Sequence, residues 1–267
     1  SSLNISRNTP SGSGTINDTP TNNGNTVETI TYTITPVFGT CQGPSRDYVV
    51  TVNPIPDAAA SDKSICSGDN AAVVITNPNG VAGTTFTWTV ASSSNVNGSS
   101  AGSGNLISQV LTSADGVNTG TVTYEITPVA NTCQGLPPVS VTVTVEPKPV
   151  ITDPSTAFIV EICSGTPLNL LPTSSIGGTT FTWTSSILGT VDNGSVSGSG
   201  IGPITDTPTN PGNTPGIVIY QVTPSIGTCA GLPVNYIVTV NPIPDVFAAD
   251  DEICSGDAVS ISITNPN

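Results

Sequence analysis

The side chains best suited to chemistry in this sequence are six cysteines, which recur in two fixed contexts, Ile-Cys-Ser-Gly and Thr-Cys-x-Gly. No two of them have Cys-x-x-Cys spacing and the chain contains no histidine, so zinc coordination is not indicated. Disulfides formed in an oxidising compartment are the better interpretation, and we expect all six to be oxidised in the intact protein. In order, they are Cys41, Cys66, Cys133, Cys163, Cys229 and Cys254.

Two disulfide patterns are open from the residues alone. Pairing within a repeat would join Cys66 to Cys133 and Cys163 to Cys229. Pairing between repeats would instead bring Cys66 toward Cys229. If Ile-Cys-Ser-Gly lies in the first turn and Thr-Cys-x-Gly in the last hairpin, the two motifs lie at opposite ends of a domain, beyond the roughly 7 Å limit on Cα separation. Either bridge would be structural and stabilise the fold by about 2–4 kcal/mol.

A second candidate site is a group of aspartates near three proline-containing segments. Carboxylate oxygens are hard ligands that suit Ca²⁺, the one cofactor the sequence brings into consideration. No Asp-x-Asp spacing supports a ligand loop, so a solvated acidic surface is the default interpretation and we expect no cofactor. The candidate calcium ligands are Asp57, Asp62, Asp153, Asp245, Asp250 and Asp251.

Catalysis finds little support in the sequence. Without histidine, no side chain is set up as a general base for a nucleophile, and no serine lies in a Gly-x-Ser-x-Gly motif with a partner base. Gly-Ser-Gly recurs at 12–14, 102–104 and 198–200, but no lysine or helix follows it, so it is not a phosphate loop. At 198–200 we predict a turn. The sequence therefore predicts that the protein is not an enzyme and has no catalytic residue.

Two tryptophans in matching contexts, Trp88 and Trp183, could form either sugar-stacking platforms or a hydrophobic core. Immunoglobulin-like sandwiches bury a tryptophan on the third strand, which favours the core. We expect Tyr32, Tyr124 and Tyr220 to belong to the core as well. Exposed tryptophans would favour the alternative function, an array of carbohydrate-binding accessory modules.

Charge excludes two classes of partner. Four basic residues stand against 18 acidic ones, giving a net charge of -14. So few cations cannot neutralise a run of phosphates or form a polybasic patch, so neither nucleic acid nor anionic lipid is an expected partner. No apolar run approaches the roughly 20 residues of a membrane span.

Internal repeats set the domain organisation. The segments Asn53–Pro56, Glu146–Pro149 and Asn241–Pro244 share a Pro-x-Pro pattern, and their first prolines lie 93 and 95 residues apart. The repeat predicts complete modules at 54–146 and 147–241. Residues 1–53 match the later part of a module and residues 242–267 match the beginning of one.

Period-two alternation predicts the elements that hold these residues. Thr121–Ile126 and Val139–Val145 alternate apolar residues with Thr or Ser, and Val259–Ile263 follows the same pattern. No stretch has helical periodicity. About seven short strands in each module predict an all-β fold of tandem immunoglobulin-like, antiparallel β-sandwich modules in an extended array.

The order of motifs resembles the PKD-like and Ig-like modules of large Bacteroidota surface proteins. Ile-Cys-Ser-Gly, Thr-Phe-Thr-Trp, Tyr-x-Ile-Thr-Pro, Thr-Cys-x-Gly and Val-Thr-Val-x-Pro succeed one another as in SprB-like gliding-motility adhesins. The resemblance covers essentially the whole chain. The usual Trp-x-Phe-Gly-Asp-Gly run is absent after Trp88 and Trp183, which favours a divergent PKD-like subgroup.

What this resemblance implies is export by type IX secretion to the extracellular cell surface. The expected role is a stalk or filament that presents a distal adhesive region and serves surface attachment or gliding motility. The expected partners are neighbouring modules of the same long chain, and surface polysaccharide or other cells reached through other regions. We expect the native molecule to continue beyond both ends; a polymer of short chains is the rival.

Overall fold

The computed structural model describes residues 4–8, 11–153 and 158–264. Regular structure in these residues is almost entirely β, and the single helical element is a 3₁₀ turn at Asn193–Ser195. The chain divides into two compact units, residues 1–147 and 148–267. The all-β fold class expected from the sequence is confirmed.

The segment 1–53, as far as the structure describes it, forms three separate two-stranded ladders and no larger sheet. The longest joins Glu28 through Ile34 antiparallel to Arg46 through Val52. The strands are β1 (Ile5–Ser6), β2 (Thr21–Asn22), β3 (Glu28–Ile34), β4 (Val37–Phe38), β5 (Cys41–Gln42) and β6 (Arg46–Val52).

The rest of the first unit contains ten strands. They are β7 (Lys63–Cys66), β8 (Val73–Val74), β9 (Thr85–Ser94), β10 (Val96–Asn97), β11 (Gly102–Ser103), β12 (Leu106–Ile107), β13 (Thr112–Ser113), β14 (Gly120–Ala130), β15 (Cys133–Gln134) and β16 (Val139–Glu146).

One large sheet dominates this unit, with strand order β11-β9-β14-β16-β7 and with β15 paired to the end of β14. All of its pairs are antiparallel except β16 with β7, which run parallel. The short ladders β8–β12 and β10–β13 supply the rest of the strand pairing. The sheet is therefore mixed, and its parallel pair departs from the antiparallel sandwich expected from the sequence.

The second unit repeats this arrangement. Its strands are β17 (Ile159–Cys163), β18 (Thr180–Leu188), β19 (Ser199–Ile201), β20 (Gly216–Ile226), β21 (Cys229–Ala230) and β22 (Val234–Asn241). The sheet order is β17-β22-β20-β18-β19, with β21 paired to β20, and the pair of β17 with β22 is again parallel.

Alternating burial along the central strands builds each core. In β14 the apolar residues Val122, Tyr124 and Ile126 are fully buried, whereas the residues between them are exposed or half-buried. Side chains of a strand point alternately to opposite faces, so this pattern places one face of the sheet against the other layer. The second unit has an equivalent core around Tyr220.

The strand predicted at Val259–Ile263 does not form. In the matching segment of the first unit, β7 pairs with β16 and β8 pairs with β12. Residues 242–264 have no counterpart of β16 or β12 to supply those backbone partners. Only the bridge between Phe247 and Thr264 is present, which corresponds to the bridge between Ala59 and Thr76.

The turn predicted at 198–200 is wrong, and the matching Gly-Ser-Gly segment at 102–104 contains a strand as well. Gly102–Ser103 forms β11 and pairs with β9, and Ser199–Ile201 forms β19 and pairs with β18. Both are short edge strands that lie beside a tryptophan-bearing strand. A glycine is needed here because of the close approach of the indole ring.

Candidate functional site

The parallel pair at the sheet edge joins the first and the last strand of each large sheet. In the first unit Lys63 lies opposite Val143 and Cys66 opposite Glu146, and the N–H of Ser67 donates to the carbonyl of Glu146 at 2.7 Å. In the second unit the pair runs from Ile159 to Cys163. The same closing bond is present there.

Side-chain hydrogen bonds add to both pairs. In the first unit Asp62 accepts a hydrogen bond from the backbone N–H of Thr142 at 2.7 Å. In the second, the amide of Asn241 donates to Glu161 at 2.7 Å, and the N–H of Ser164 donates to the carbonyl of Asn241 at 2.8 Å. Each parallel pair is therefore held by contacts beyond its own ladder.

This arrangement sets where the chain enters and leaves each large sheet. Because the first and last strands of the sheet run in the same direction, the chain enters the sheet at one end and leaves it at the other.

The two cysteines in the strands of each large sheet lie at opposite ends of that sheet. Cys66 lies beside Glu146, at the end of β14 that begins with Gly120, whereas Cys133 pairs with Ala130 at the other end of β14. Ten residues at about 3.3 Å each separate the ends, which is roughly 33 Å. A disulfide needs Cα atoms within about 7 Å.

The second unit repeats this separation between Cys163, beside Asn241, and Cys229, beside Ile226. Cys66 and Cys229 are disulfide-bonded in the structure, and Cys41, Cys133, Cys163 and Cys254 are free thiols. The within-repeat pattern, Cys66–Cys133 and Cys163–Cys229, is therefore wrong. Oxidation of all six cysteines in the intact protein stays a prediction.

Both tryptophans lie in the cores and offer no surface to a sugar. Trp88 and Trp183 are each 6% exposed. The indole N–H of Trp88 donates to the carbonyl of Ser100 at 3.2 Å, and Trp183 packs edge-on against Tyr220 with ring centroids 5.5 Å apart.

The three tyrosines expected in the core differ in burial. Tyr124 and Tyr220 are fully buried, but Tyr32 is only half-buried. In the first unit, Tyr124 packs in a cluster with Phe86 and Trp88. The described part of 1–53 has no counterpart of β9, the strand that carries those two rings, so Tyr32 lacks that cover.

The hydroxyl groups of these tyrosines are satisfied by acids or amides that sequence reasoning missed. Tyr32 donates to Asp18 and Tyr220 donates to Asp206, each at 2.8 Å. Burial, followed by the hydrogen bond to Asp206, raises the pKa of Tyr220 well above its ordinary value. Tyr124 donates to the amide oxygen of Gln109 at 2.7 Å.

An asparagine four residues after each of these acids ties a loop to the last strand. Asn22 donates to the carbonyl of Val52 at 2.9 Å, and Asn210 donates to the carbonyl of Val240 at 2.8 Å. Both are buried. The sequence could have revealed these acids and asparagines, because Asp-Thr-Pro-Thr-Asn-x-Gly-Asn-Thr occurs at 18–26 and again at 206–214.

The candidate calcium ligands do not converge. Among the described residues, no three acidic or cysteine side chains come together as a metal site. Several of these aspartates accept hydrogen bonds from the protein itself: Asp57 from the N–H of Ala58, Asp245 from that of Val246 and Asp251 from that of Glu252. Asp153 accepts from Tyr236 and from Thr173. The absence of a cofactor stays a prediction.

Two shallow cavities lie outside the two large sheets. One, of about 200 Å³, is lined by residues that include Tyr32, Tyr48 and Val50. The other, of about 430 Å³, lies within residues 248–261. By strand pairing, Val50 corresponds to Val143, which is fully buried in the first unit's core. The first cavity therefore lies on a face that corresponds to the core face of the large sheet.

Comparison with solved structures finds matches of low sequence identity. A SusE-like surface-located polysaccharide-binding protein from the Bacteroides thetaiotaomicron heparin utilisation locus is 11% identical, with a TM-score of 0.28, and the match covers 74% of this chain and 36% of that one. The FN1–FN3 domains of chicken CNTN1 are 9% identical, with a TM-score of 0.34 and coverage of 77% and 76%. Human protocadherin-24 EC1-2 is 16% identical, with a TM-score of 0.32 and coverage of 71% and 98%. Likenesses this low carry no argument about function.

No curated protein matches the sequence. In the part of the chain that the structure describes, no helix has the length and apolarity to cross a membrane. A family model described as a PKD-like domain matches residues 3–56, 63–149 and 160–244, which is well over half of the chain. With three successive matches along one polypeptide, the chain belongs to the PKD-like domain family.

Proposed function

We propose that this chain is a load-bearing segment of an extracellular stalk. It holds a distal adhesive region away from the cell and has no catalytic role. The observation that carries the proposal is the parallel pairing of the first and last strands of the large sheet in each unit. Three tandem family matches and two disulfide-bonded cysteines support a repeated module that works outside the cell.

The mechanical argument follows from the direction of load. A hairpin pulled at its open end separates one hydrogen bond at a time, so a small force suffices. A parallel pair pulled from its opposite ends resists with its whole ladder at once. The five aligned residue pairs of β17 and β22, closed by the bond from Ser164 to Asn241, form such a ladder.

A sugar-binding array is the weaker alternative, because it depended on exposed tryptophans and both are buried. Attachment to surfaces or other cells would lie in regions distal to the modules. Display on the cell surface, type IX secretion and gliding motility are supported by the resemblance to gliding-motility adhesins, and they remain part of the proposal.

Single-molecule force spectroscopy tests the mechanical role. The chain is held at its two ends and stretched in reducing buffer, so that no disulfide carries load. We expect two high-force unfolding events, one for each unit. Ser164→Pro removes the N–H that donates to Asn241, and it should lower the force of one event.

The matched control is Ser164→Ala, which keeps the backbone donor and loses only the hydroxyl that accepts from Asn210. It should leave both unfolding forces close to those of the parent chain. Equal forces for the proline and alanine variants, or a chain that extends without resolved unfolding events, would contradict a load-bearing role.

A further inference from the structure

We propose that one end of the module 54–146 is a docking surface, and that its partner is the part of the chain that precedes the module, residues 1–53. Both partners belong to the first compact unit. The proposal rests on the stalk of the proposed function and names what holds one junction of that stalk in a fixed orientation. We call this docking surface the junction surface and define it by Asn79, Gly80, Asn131 and Gly135.

Two loops at the same end of the module form the junction surface. One is the hairpin turn between β14 and β15. The other is the turn from Asn77 to Gly80, which is closed by a hydrogen bond from the N–H of Gly80 to the carbonyl of Asn77. The two loops lie at one end of the sheet because Thr85, at the start of β9, lies opposite Val129, near the end of β14.

The segment Asn53–Pro56 runs over this surface. The carbonyl of Ile55 accepts a hydrogen bond from the side-chain amide of Asn79 at 2.9 Å. The carbonyl of Pro56 lies so close to Gly135 that a Cβ atom on this glycine would overlap it. Both prolines of the segment are buried, and proline fixes its own φ, so the segment has little conformational freedom left.

Residues that precede these prolines make contacts of their own. Asn53, directly after β6, donates its side-chain amide to the carbonyl of Asn131 at 3.1 Å. Asn25, in the loop between β2 and β3, lies beside Gly80, since a Cβ atom on that glycine would be 3.5 Å from its Nδ2 atom. Residues 1–53 are therefore held at both loops, and together these contacts oppose rotations that either one alone would allow.

The chemistry of these contacts suits two partners that are both acidic. The chain carries 18 acidic and four basic residues, so carboxylates that faced each other across a junction would repel. None of the residues that make these contacts is charged, and the hydrogen bonds run from asparagine amides to backbone carbonyls. Docking through such groups brings two acidic parts of the chain together without opposing their charges.

The second unit repeats the hairpin half of this surface. Gly231 follows β21 as Gly135 follows β15, and a Cβ atom on Gly231 would overlap the carbonyl of Pro149. In both units the N–H of this glycine donates to a proline carbonyl at the base of the hairpin, that of Pro128 or Pro224. The close approach of the Pro-x-Pro segment therefore explains why Thr-Cys-x-Gly ends in glycine.

The loop half is missing from the described residues of the second unit. One residue separates Ser174 from the buried Ile176, whereas the corresponding loop of the first unit has four, Asn77–Gly80. The shorter loop has no residue to take the place of Asn79. Of the two units, the first therefore carries the complete junction surface.

Nitrogen-15 relaxation, measured by NMR on the whole chain in reducing buffer, tests the docking. Backbone amides of β3 and β6 report the motion of residues 1–53, and those of β14 and β16 report the motion of the module. In the parent chain we expect both groups to give the same rotational correlation time, because docked segments tumble as one body. The double variant Asn53→Ala, Asn79→Ala loses both amide hydrogen bonds, so β3 and β6 should then give a shorter correlation time.

Asn97→Ala is the control, since Asn97 is exposed and lies beyond the far end of β9, and it should leave the two correlation times equal. Unchanged amide chemical shifts in β14 would show that each variant is still folded. Independent tumbling of residues 1–53 in the parent chain, or equal correlation times in the double variant, would overturn the proposal. The force test reads strand pairs inside each sheet, so a flexible junction would leave its unfolding forces unchanged, and low unfolding forces would leave the correlation times unchanged.

Discussion

Gly102 lies against the indole ring of Trp88 with no room for a side chain: a Cβ atom on this glycine would lie 2.5 Å from Cζ2 of the tryptophan. Gly200 has the same relation to Trp183 in the second unit. Each glycine belongs to a short edge strand, so a backbone segment closes over a buried ring. The repeated Gly-Ser-Gly segments thus contribute to the core.

Gly200→Ala should destabilise the second unit by about 1–3 kcal/mol, because the added methyl group must displace Trp183. Urea unfolding followed by tryptophan fluorescence measures the change, in a Trp88→Phe background where Trp183 is the only reporter. Gly198→Ala is the control, since a Cβ there meets nothing within 4 Å, and it should change stability by less than about 0.5 kcal/mol. Equal effects of the two alanines would refute the packing argument.

Tyr220→Phe should lower the free energy of unfolding of the second unit by about 1–2 kcal/mol, because Asp206 loses the hydroxyl that donates to it at 2.8 Å. Chemical denaturation of the purified chain measures the loss. Tyr48→Phe serves as the control, since Tyr48 is 63% exposed. A Tyr220→Phe variant as stable as the parent would show that the pair contributes nothing.

Stability of the second unit should fall as the pH rises above about 10. Burial and the adjoining carboxylates of Asp206 and Asp153 raise the pKa of Tyr220 and Tyr236. The unfolded chain then loses these protons near pH 10 while the folded chain keeps them, so the contribution is complete below pH 10 and is lost above it.

Above pH 10 the free energy of unfolding should fall by at most about 1.4 kcal/mol per pH unit for each tyrosine that remains protonated in the folded state. Denaturant unfolding at several values between pH 9 and pH 11.5 measures it. Tyr220→Phe should make the slope shallower, whereas Tyr48→Phe should not. Constant stability across this range would be incompatible with two buried, protonated tyrosines.

Asn210→Ala should destabilise the second unit by about 1–3 kcal/mol, because the side chain is buried and donates to the carbonyls of Thr214 and Val240. Thermal and urea unfolding measure the effect. Asn213→Ala, at an exposed position three residues later, should be nearly neutral. A larger loss of stability for Asn213→Ala than for Asn210→Ala would show that the side chain of Asn210 does not stabilise the unit.

Acrylamide quenching checks the placement of the tryptophans in solution. Native Trp88 and Trp183 should be quenched weakly, as both are 6% exposed, and strongly after unfolding in urea. Single-tryptophan variants, Trp88→Phe and Trp183→Phe, report each site separately. Strong quenching of either one in the native chain would reopen the sugar-binding alternative.

Sequence alone determined the all-β class, the repeat and the core positions of Trp88 and Trp183. Alternation of apolar residues with Thr or Ser is a local property of a strand, and a repeat is visible without any structure. The strand predicted at Val259–Ile263 does not form, although apolar residues alternate there with Ser as regularly as in the strands that do form. A strand needs a backbone partner, and no local pattern supplies one.

Tertiary structure alone decided which strands are neighbours and where the cysteines lie. The parallel pair of β7 with β16 joins a segment near the start of the module to one at its end, and nothing in either segment specifies the other. Topology also places Cys66 and Cys133 at opposite ends of one sheet. This excludes the Cys66–Cys133 disulfide, which the sequence had left open. Pairing across the sheet depends on contacts between distant segments, and these exist only once the chain has folded.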